Sequence, residues 1–494
     1  MILKDLLEKA GYPCPPALRM ATQEITGITS DSRTVQKGNV FVALRGLRQD
    51  GSCFVGDAMA RGAVFAVSER CVASDDTLTV SDARVALARL TDAWYGHPAK
   101  SLELIGITGT NGKTATATML HAILRHAGYS CGLIGTVECR LNDRVLTAPN
   151  QNRLANMTTP DPAQLYALLA QMRDGGAQYV VMEVTSHALA FSKTAPLQFK
   201  RAVFTNLTPD HLDLHGDMES YFAEKSKLFD ACQGAVIAAS APYGQRLADR
   251  MEVPLWRVDE VSVRHVQKHG AKGVSFSLYC PPTPPIAIQI PVPGDFTVEN
   301  GALAAMTALS LGVESNRVQE ALLRFTGVKG RMERVGENPF GFSVFLDYAH
   351  TPDALEKLLR TVRDFQGEQG RILLLFGCGG DRDRSKRAEM GRIGSRLADF
   401  LILTSDNCRS ERPGEILRDI LKGVDKEKAH KVLPDRREAI AYAVNHARNG
   451  DIVLLVGKGH EEYEIRGRER LHFSERAIVA ECMARREERE QGAH

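Results

Sequence analysis

The chain has 494 residues, 44% hydrophobic and 25% charged, with a formal net charge of +2. Single cores stop growing at about 250–300 residues, so two to four domains are implied, and the balanced charge offers no broad basic field for nucleic acid. No run approaches the roughly 18–20 apolar residues of a membrane helix, Met1–Gly11 with Lys4, Asp5, Glu8 and Lys9 does not read as a signal peptide, and the 10 cysteines form no C-x-x-C pair, which suits a reducing cytosol rather than a zinc ribbon or disulfide framework.

In chain order, the runs Val40–Leu44 and Val64–Val67 predict strands in a first region, 1–98, which ends at the break Trp94-Tyr95-Gly96-His97-Pro98. A second region, 99–328, opens with a strand over Leu102–Thr108 and a Gly-rich loop. A helix follows with Ala117, Leu120, Ile123, Leu124 and Ala127 on one face, and Gly128 can cap it. Further strands are expected at Tyr179–Val184, Ala202–Thr205 and Ala235–Ala239. Pro281–Pro285 can be neither helix interior nor central strand and reads as a loop before an edge strand. In the third region, 329–494, strands at Val344–Leu346, Ile372–Phe376, Phe400–Thr404 and Ile452–Val456 alternate with helical patterns. That alternation predicts parallel β-α-β units, with ligands at the carboxyl ends of the strands.

The sharpest motif is Gly106-Ile107-Thr108-Gly109-Thr110-Asn111-Gly112-Lys113-Thr114. Between a strand and a helix it forms a phosphate loop: its glycines let backbone N–H groups converge on phosphate oxygens, and the helix adds its positive end. Lys113 is placed to reach the β- and γ-phosphates and Thr114 to bind Mg²⁺. The strict pattern wants glycine where Ile107 stands. Glu183, at the tip of a strand, is either a second Mg²⁺ ligand or a solvated strand-end acid. Asp210-His211-Leu212-Asp213-Leu214-His215 offers four metal ligands in six residues, readable as a hydrolase centre or as a loop and helix cap. Gly377, Gly379 and Gly380 lack the spacing of a dinucleotide fingerprint, which argues against NAD.

These motifs coincide in order with EVTSHAL at 183–189, FTNLTPDHLDLHG at 204–216, Tyr221 with Lys225, GRME at 330–333, DYAHTPDAL at 347–355, FGCGGDRDRSKR at 376–387 and GKGHE at 457–461. Together they resemble the Mur ligase family over nearly the whole chain, and within it the members that add the third residue to UDP-N-acetylmuramoyl-L-alanyl-D-glutamate. The family's phosphate loop has glycine at the position of 106, as here. The resemblance implies an α/β fold of three domains: UDP-binding (1–98), a parallel-sheet P-loop ATPase (99–328) and a Rossmann-like C-terminal domain (329–494). It implies that Gly109, Thr110, Asn111, Gly112, Lys113, Thr114 and Ala115 bind ATP. Asn300 would contact the adenine, and Arg331 and Asp347 would complete the nucleotide site. Thr114, Glu183, His211 and a carbamylated Lys225 would serve Mg²⁺. Carbamylation turns a cation into a carboxylate-like ligand.

For the UDP-muropeptide the matching positions are Ser30, Ser32, Leu47, Arg48, Gln49, Thr158, Thr159, Thr185 and Lys193. The chain departs from the family pattern in several places. Met157 stands for Asn, Thr185 for Ser, Phe191 for Gln, Lys193 for Arg and Thr297 for Asn, and Lys lacks the guanidinium fork. Asp406-Asn407-Cys408-Arg409 matches the Asp-Asn-Pro-Arg motif of members that add meso-diaminopimelate. Arg409 can hold bidentately the second carboxylate that lysine lacks. Arg382, Gly457 and Glu461 match further diaminopimelate contacts.

The implied reaction is cytoplasmic and needs no nucleic acid or membrane insertion. ATP phosphorylates a glutamate carboxylate, and the amine of diaminopimelate then displaces phosphate. The alternatives are the same reaction with L-lysine, a folylpolyglutamate-synthetase-like ligase, a P-loop switch protein without ligase activity, and a metal hydrolase built on the Asp-His cluster.

Overall fold

The computed structural model describes residues 1–14, 21–46, 49–71, 75–147, 157–336, 339–366, 370–467 and 469–491. Leu47 and Arg48 lie outside the described residues. Contacts divide the chain into two compact units. The first holds Met1–Val263, Tyr279–Pro284 and Glu299–Ala321; the second holds Arg264–Leu278, Pro285–Val298 and Leu322–His494.

The first unit contains two sheets. A four-stranded sheet runs in the order β1 (Gly27–Thr29), β2 (Asn39–Ala43), β3 (Phe65–Ser68), β4 (Thr77–Thr79), every pair parallel. The helices Leu3–Lys9 and Ala83–Trp94 cover one face through Leu3, Leu6, Leu7, Ala86, Leu87 and Leu90. The segment Trp94–Pro98 is a helix end and tight turn. It is held by Arg173 Nη1 donating to Tyr95 O at 2.8 Å and by His97 Nδ1 lying 2.7 Å from Asp92 Oδ2.

The larger sheet contains β5 (Glu103–Thr108), β6 (Cys131–Ile134), β7 (Cys139–Leu141), β8 (Arg144–Val145), β9 (Tyr179–Glu183), β10 (Arg201–Phe204), β11 (Ala235–Ala238) and β12 (Leu255–Val258), in the order β12-β11-β10-β5-β9-β6-β7-β8. The strands from β12 to β6 are parallel, but β7 and β8 add to the edge antiparallel, so the sheet is not wholly parallel. A short connection from β6 leaves no room for the crossover a parallel neighbour requires. The strand β5 sits in the middle, and its register with β10 and β9 puts Phe204 beside Thr108 and Glu183 beside Ile107. The phosphate loop, Glu183 and the 205–208 segment therefore emerge at one end of the sheet.

The helix Lys113–His126 begins behind Gly112 and buries Ala117, Leu120, Ile123 and Leu124. Ala127 is its C-cap rather than a body residue. Gly128, at φ +92°, completes the stop: Tyr129 N donates to Leu124 O and Gly128 N to Arg125 O, the paired bonds of a glycine-terminated helix.

The second unit holds a small sheet in the order β13 (Val263–Lys268), β14 (Val274–Leu278), β15 (Ile286–Ile290). As the Pro-rich run implies, the strand after it, β15, is an edge strand with alternating burial. The main sheet runs β16 (Glu333–Arg334), β17 (Ser343–Asp347), β21 (Ile452–Val456), β18 (Ile372–Phe376), β19 (Phe400–Leu403), β20 (His430–Val432), parallel except for β16. The helices Pro352–Gln366, Ser385–Leu397 and Pro413–Leu421 cover one face; Arg436–His446 and Glu475–Gln491 cover the other. Sandwiching explains the unbroken apolar strands, since both faces of Ile372–Phe376 are buried. Each buried aliphatic contributes about 1.5–3 kcal/mol. The loops after β17, β18, β19 and β21 share one end, and the hairpin β22 (Tyr463–Arg466) and β23 (Glu469–His472) lies beside them through the Arg409–Arg466 bridge.

Candidate active site

The phosphate loop is fixed from beneath by polar side chains of the chain after β10. Thr205 Oγ1 donates to Asn111 O at 2.5 Å, Asn111 N to Asn206 Oδ1 at 2.9 Å, and Thr110 N to Asn206 O at 2.9 Å. Gly109 and Gly112 are required by contact as well as by backbone. At φ +147° and +84°, a Cβ would come within 1.9 Å of Thr205 Oγ1 and 2.3 Å of Asn300 Oδ1. Gly106 serves the core instead. A Cβ there would lie 2.9 Å from both Leu228 Cδ1 and the Phe199 ring, so glycine at 106 rather than 107 answers to packing below the loop.

Lys113 Nζ donates to Gly109 O at 2.9 Å and to Thr110 O at 2.8 Å. Lys225, on the helix Met218–Asp230 and 2% exposed, donates to the same Gly109 O at 2.8 Å, with Nζ 4.7 Å from the Tyr221 ring centroid. Burial, followed by the charge of Lys113, holds Lys225 well below the usual lysine range.

Glu183 is 1% exposed. Its Oε2 accepts Thr114 Oγ1 at 2.9 Å and Thr136 Oγ1 at 3.0 Å, and its Oε1 accepts Thr136 N at 2.9 Å. It is therefore no solvated strand-end acid. Thr136 Oγ1 lies 3.0 Å from Thr158 Oγ1, and Thr159 Oγ1 donates to Glu183 O at 2.9 Å while accepting Thr185 N at 3.0 Å. Thr185 in turn caps the helix Ser186–Ala190. Thr116 Oγ1 donates to Asn300 Oδ1 at 3.3 Å.

His211, at φ +54°, caps the short helix Leu212–His215, with Nε2 3.4 Å from Asp210 Oδ2 and its ring 4.7 Å from that of His187. Within the run His211 N donates to Asp210 Oδ1 at 2.9 Å, and among the described residues no group of three His, Cys, Asp or Glu stands together to hold a metal ion. Two departures near 191–193 have defined surroundings. Lys193 Nζ pairs with Asp161 at 2.8 Å and lies 3.7 Å from Met157 Sδ, while the Phe191 ring lies 4.4 Å beneath the Arg84 guanidinium. In the smaller sheet's unit-mate segment, Ser30 is exposed, Ser32 opens a turn capped by the Asp31 side chain, and Gln49 is exposed.

In the second unit the loops after β19 and β21 form a buried polar knot. Lys458 Nζ donates to Asn407 Oδ1 at 3.1 Å and to Tyr463 O at 2.7 Å, and lies 3.6 Å from Asp406 Oδ1. Asn407 Nδ2 donates to Glu461 Oε2 at 2.8 Å. Burial opposes the charge of Asp406, but Lys458 and Arg436 outweigh it and hold the carboxyl below its ordinary range. Burial and then Asp406 push Glu461 up. Gly457, at φ +115°, leaves space that a Cβ would take 2.6 Å from Asp406 Oδ2. Arg409 Nη1 donates to Gly380 O at 2.9 Å, Cys408 is buried, and Arg382 is exposed. Arg331 lies over the Tyr348 ring at 4.7 Å, and Asp347 accepts Met332 N at 2.7 Å and Ala349 N at 2.8 Å.

Residues 24–95 match the Mur ligase family catalytic domain, 107–309 the Mur ligase middle domain, and 330–459 the Mur ligase glutamate ligase domain. The chain belongs to the Mur ligase family. It is 41% identical to a UDP-N-acetylmuramoyl-L-alanyl-D-glutamate–2,6-diaminopimelate ligase of Gloeobacter violaceus, covering 99% of each chain. It is 40% identical to the ligase of the same name from Solibacter usitatus, over 98% of each. A solved structure of a ligase so named superimposes with a TM-score of 0.67 at 28% identity, over 99% of this chain and 100% of that one. Folylpolyglutamate synthase of Mycobacterium tuberculosis complexed with ADP shares the fold at a TM-score of 0.62, with 18% identity over 76% of this chain and 92% of that one. The three-domain α/β architecture of the Mur ligases is thus the architecture of this chain.

Of the expected Mur ligase site, Thr114 with Glu183, Lys113 with Lys225, Asn300 with the loop, and Asp406, Asn407, Glu461 and Gly457 are each brought together. Sequence reasoning missed Thr136, Thr205, Asn206 and Lys458. The last lies inside the quoted GKGHE motif and is fully buried; a lysine between two glycines after an apolar strand was the available signal.

Proposed function

We propose that this chain is an ATP-dependent, amide-forming ligase. It adds meso-diaminopimelate to the D-glutamate of UDP-N-acetylmuramoyl-L-Ala-D-Glu through an acyl phosphate, in cytoplasmic peptidoglycan synthesis. One observation carries the reading: the Thr114 hydroxyl and the Glu183 carboxylate meet at 2.9 Å beside a phosphate loop, in a chain that matches a ligase of that name over 99% of its length. No helix is long and apolar enough to cross a membrane among the described residues.

In this reading residues 1–98 hold the UDP-muropeptide, 99–328 the ATP and 329–494 the amino acid. Gly109 to Ala115 hold the triphosphate, Lys113 turns from the loop carbonyls to the β- and γ-phosphates, and Asn300, Arg331 and Asp347 receive the nucleoside. The hydroxyls of Thr114 and Thr136 and the carboxylate of Glu183 are hard oxygen donors, the set that Mg²⁺ takes; His211 and Lys225 belong to the same proposed set. When bound, Mg²⁺ neutralises the phosphate charge that would otherwise repel the incoming carboxylate.

Burial and the charge of Lys113 make the Lys225 ammonium give up its proton more readily, and the neutral amine is the form that adds to CO₂. The N–C bond of a carbamate forms, a proton leaves, and Lys225 becomes an anionic oxygen donor. Ser30, Ser32, Leu47, Arg48, Gln49, Thr158, Thr159, Thr185 and Lys193 receive the muropeptide. Arg409, with Arg382, Asp406, Asn407, Cys408, Gly457 and Glu461, orients the diaminopimelate so that its amine meets the acyl carbon. There the C–N bond forms, the C–O bond to phosphate breaks, and phosphate leaves with the proton that the amine gives up on becoming an amide; holding the two reactants in register is the main contribution of these side chains.

The test is an assay with purified protein, UDP-muramoyl-dipeptide and ATP, comparing diaminopimelate with lysine. The expected result is ADP, phosphate and a tripeptide nucleotide, with lysine at least tenfold poorer in kcat/KM. Brisk ATP hydrolysis without the other substrates, or amide formation from folate and glutamate instead, would overturn the proposal.

A further inference from the structure

The loop after β18 and the loop after β19 are joined by a buried ion pair that belongs to neither loop's expected substrate contacts. Arg387, on the helix Ser385–Leu397, is 0% exposed. Its Nη1 and Nη2 donate to Glu411 Oε2 at 3.0 Å and Oε1 at 2.8 Å, a fork-to-carboxylate pair. Nη1 also donates to Asp419 Oδ2 at 3.1 Å and Nη2 to Gly379 O at 3.4 Å. Glu411 accepts Asp381 N at 2.7 Å, and Arg384 Nη2 reaches it from outside at 2.9 Å. A second clasp lies alongside: Ser410 Oγ donates to Asp381 Oδ1 at 2.6 Å and Ser410 N to Oδ2 at 3.2 Å.

Between these clasps stands Arg409. Its backbone is held at φ +50°, a costly conformation for a residue with a side chain, by Arg409 N donating to Ile465 O and Gly467 N to Arg409 O. Its guanidinium is held by Gly380 O at 2.9 Å, and Gly380 lies in the stretch that Glu411 and Ser410 pin through Asp381. Gly380 N also donates to Asn407 O, and a Cβ at 380 would lie 1.9 Å from Cys408 O, so the two loops run in backbone contact here. The Arg387 Nε has no hydrogen-bond partner among the described residues. A buried ion pair of this kind gains little stability over a well-packed apolar pair; what it adds is a fixed distance between the loops.

We infer that Arg387 and Glu411 are positioning residues that set the guanidinium of Arg409 for the distal carboxylate of diaminopimelate, and so contribute to the choice of that amino acid over lysine. The inference rests on the proposed function through Arg409. Binding of a dicarboxylic diamine requires the fork to be held in one orientation, because a mobile guanidinium pays for its own ordering on each encounter.

The experiment is steady-state kinetics on the full-length wild-type chain, Glu411→Gln, Ser410→Ala, Arg409→Ala and the double variant Glu411→Gln/Arg409→Ala, with KM recorded separately for diaminopimelate, ATP and UDP-muramoyl-dipeptide. Ser410 is exposed, which makes Ser410→Ala an informative second variant should Glu411→Gln fold poorly. The expected outcome is a rise of about tenfold in KM for diaminopimelate in Glu411→Gln and about threefold in Ser410→Ala. The other two KM values stay within twofold, and Glu411→Gln adds less than twofold on top of Arg409→Ala. If Arg409→Ala weakens diaminopimelate use while Glu411→Gln and Ser410→Ala leave its KM unchanged, or if the two effects multiply in the double variant, the positioning role is wrong and the proposed function stands. If Arg409→Ala itself leaves the KM for diaminopimelate unchanged, Arg409 does not hold the amino acid and the inference falls with that reading.

Discussion

Thr114 Oγ1 and Glu183 Oε2, 69 residues apart in the chain, meet at 2.9 Å, and Thr136 donates to both oxygens of the same carboxylate. The arrangement leaves Glu183 with fixed direction and no exposure. Replacing it by Gln keeps the shape but removes the charge that a hard cation needs. Glu183→Gln is expected to raise the Mg²⁺ concentration for half-maximal activity at least tenfold, read by titrating Mg²⁺ at saturating ATP. An unchanged Mg²⁺ profile would remove Glu183 from the metal site.

Lys113 touches the loop carbonyls of Gly109 and Thr110, bonds that water can replace in a partly exposed loop. Lys113→Ala should therefore fold with a melting temperature within about 2 °C of wild type. It should lose at least about a hundredfold in kcat/KM, roughly 2.7 kcal/mol of transition-state stabilisation. Coupled detection of ADP, with thermal melting alongside, checks both halves.

Arg409→Ala is expected to raise the KM for diaminopimelate at least tenfold, about 1.4 kcal/mol, without improving the use of ATP or the muropeptide. A variant that retains full discrimination between diaminopimelate and lysine would place selectivity elsewhere in the loop.

Lys225, buried beside Lys113, should require CO₂. In CO₂-free buffer the initial rate should fall several-fold and return on adding bicarbonate, whereas Lys225→Ala should be inactive in both. A wild-type rate indifferent to CO₂ would argue that the unmodified amine is the working form.

Stability should also carry a pH signature from His121. It is 4% exposed, its Nε2 lies 3.2 Å from Cys131 O, and burial, then Arg140, lowers it from 6.5 to about 4. The unfolded chain binds the proton more readily, so this contribution is complete above pH 6.5 and is lost as pH falls toward 4. The loss reaches about 3 kcal/mol. Denaturant midpoints measured from pH 7.5 to 4.5 should fall more steeply for wild type than for His121→Gln.

Local pattern made the frame legible. Val180, Val181 and Met182 announce a buried strand and Glu183 its tip, and Gly109, Gly112 and Lys113 are contiguous, so strand, loop and helix could be read together. What pattern could not supply was pairing across distance. Thr205 and Asn206 support the loop from 94 and 95 residues away, and Thr116 meets Asn300 across 184; each is an ordinary polar residue until the sheet order brings it near. The antiparallel β7 and β8 were equally hidden, being short and half exposed. In the second unit Asp406, Asn407 and Arg409 were readable as a motif, but Lys458 and the Arg387–Glu411 pair needed the three loops to be adjacent.

Gly106 bears on how such loops can be transplanted. Because its missing side chain makes room for Phe199 and Leu228, the opening residue of the signature is matched to the hydrophobic floor and not to the nucleotide. Grafting the nine-residue segment onto another β-sheet would thus require those two neighbours to travel with it, while moving the glycine to 107 in this scaffold would wedge a methyl group into the floor and tilt the strand Glu103–Thr108 that leads into the loop and the Lys113 helix.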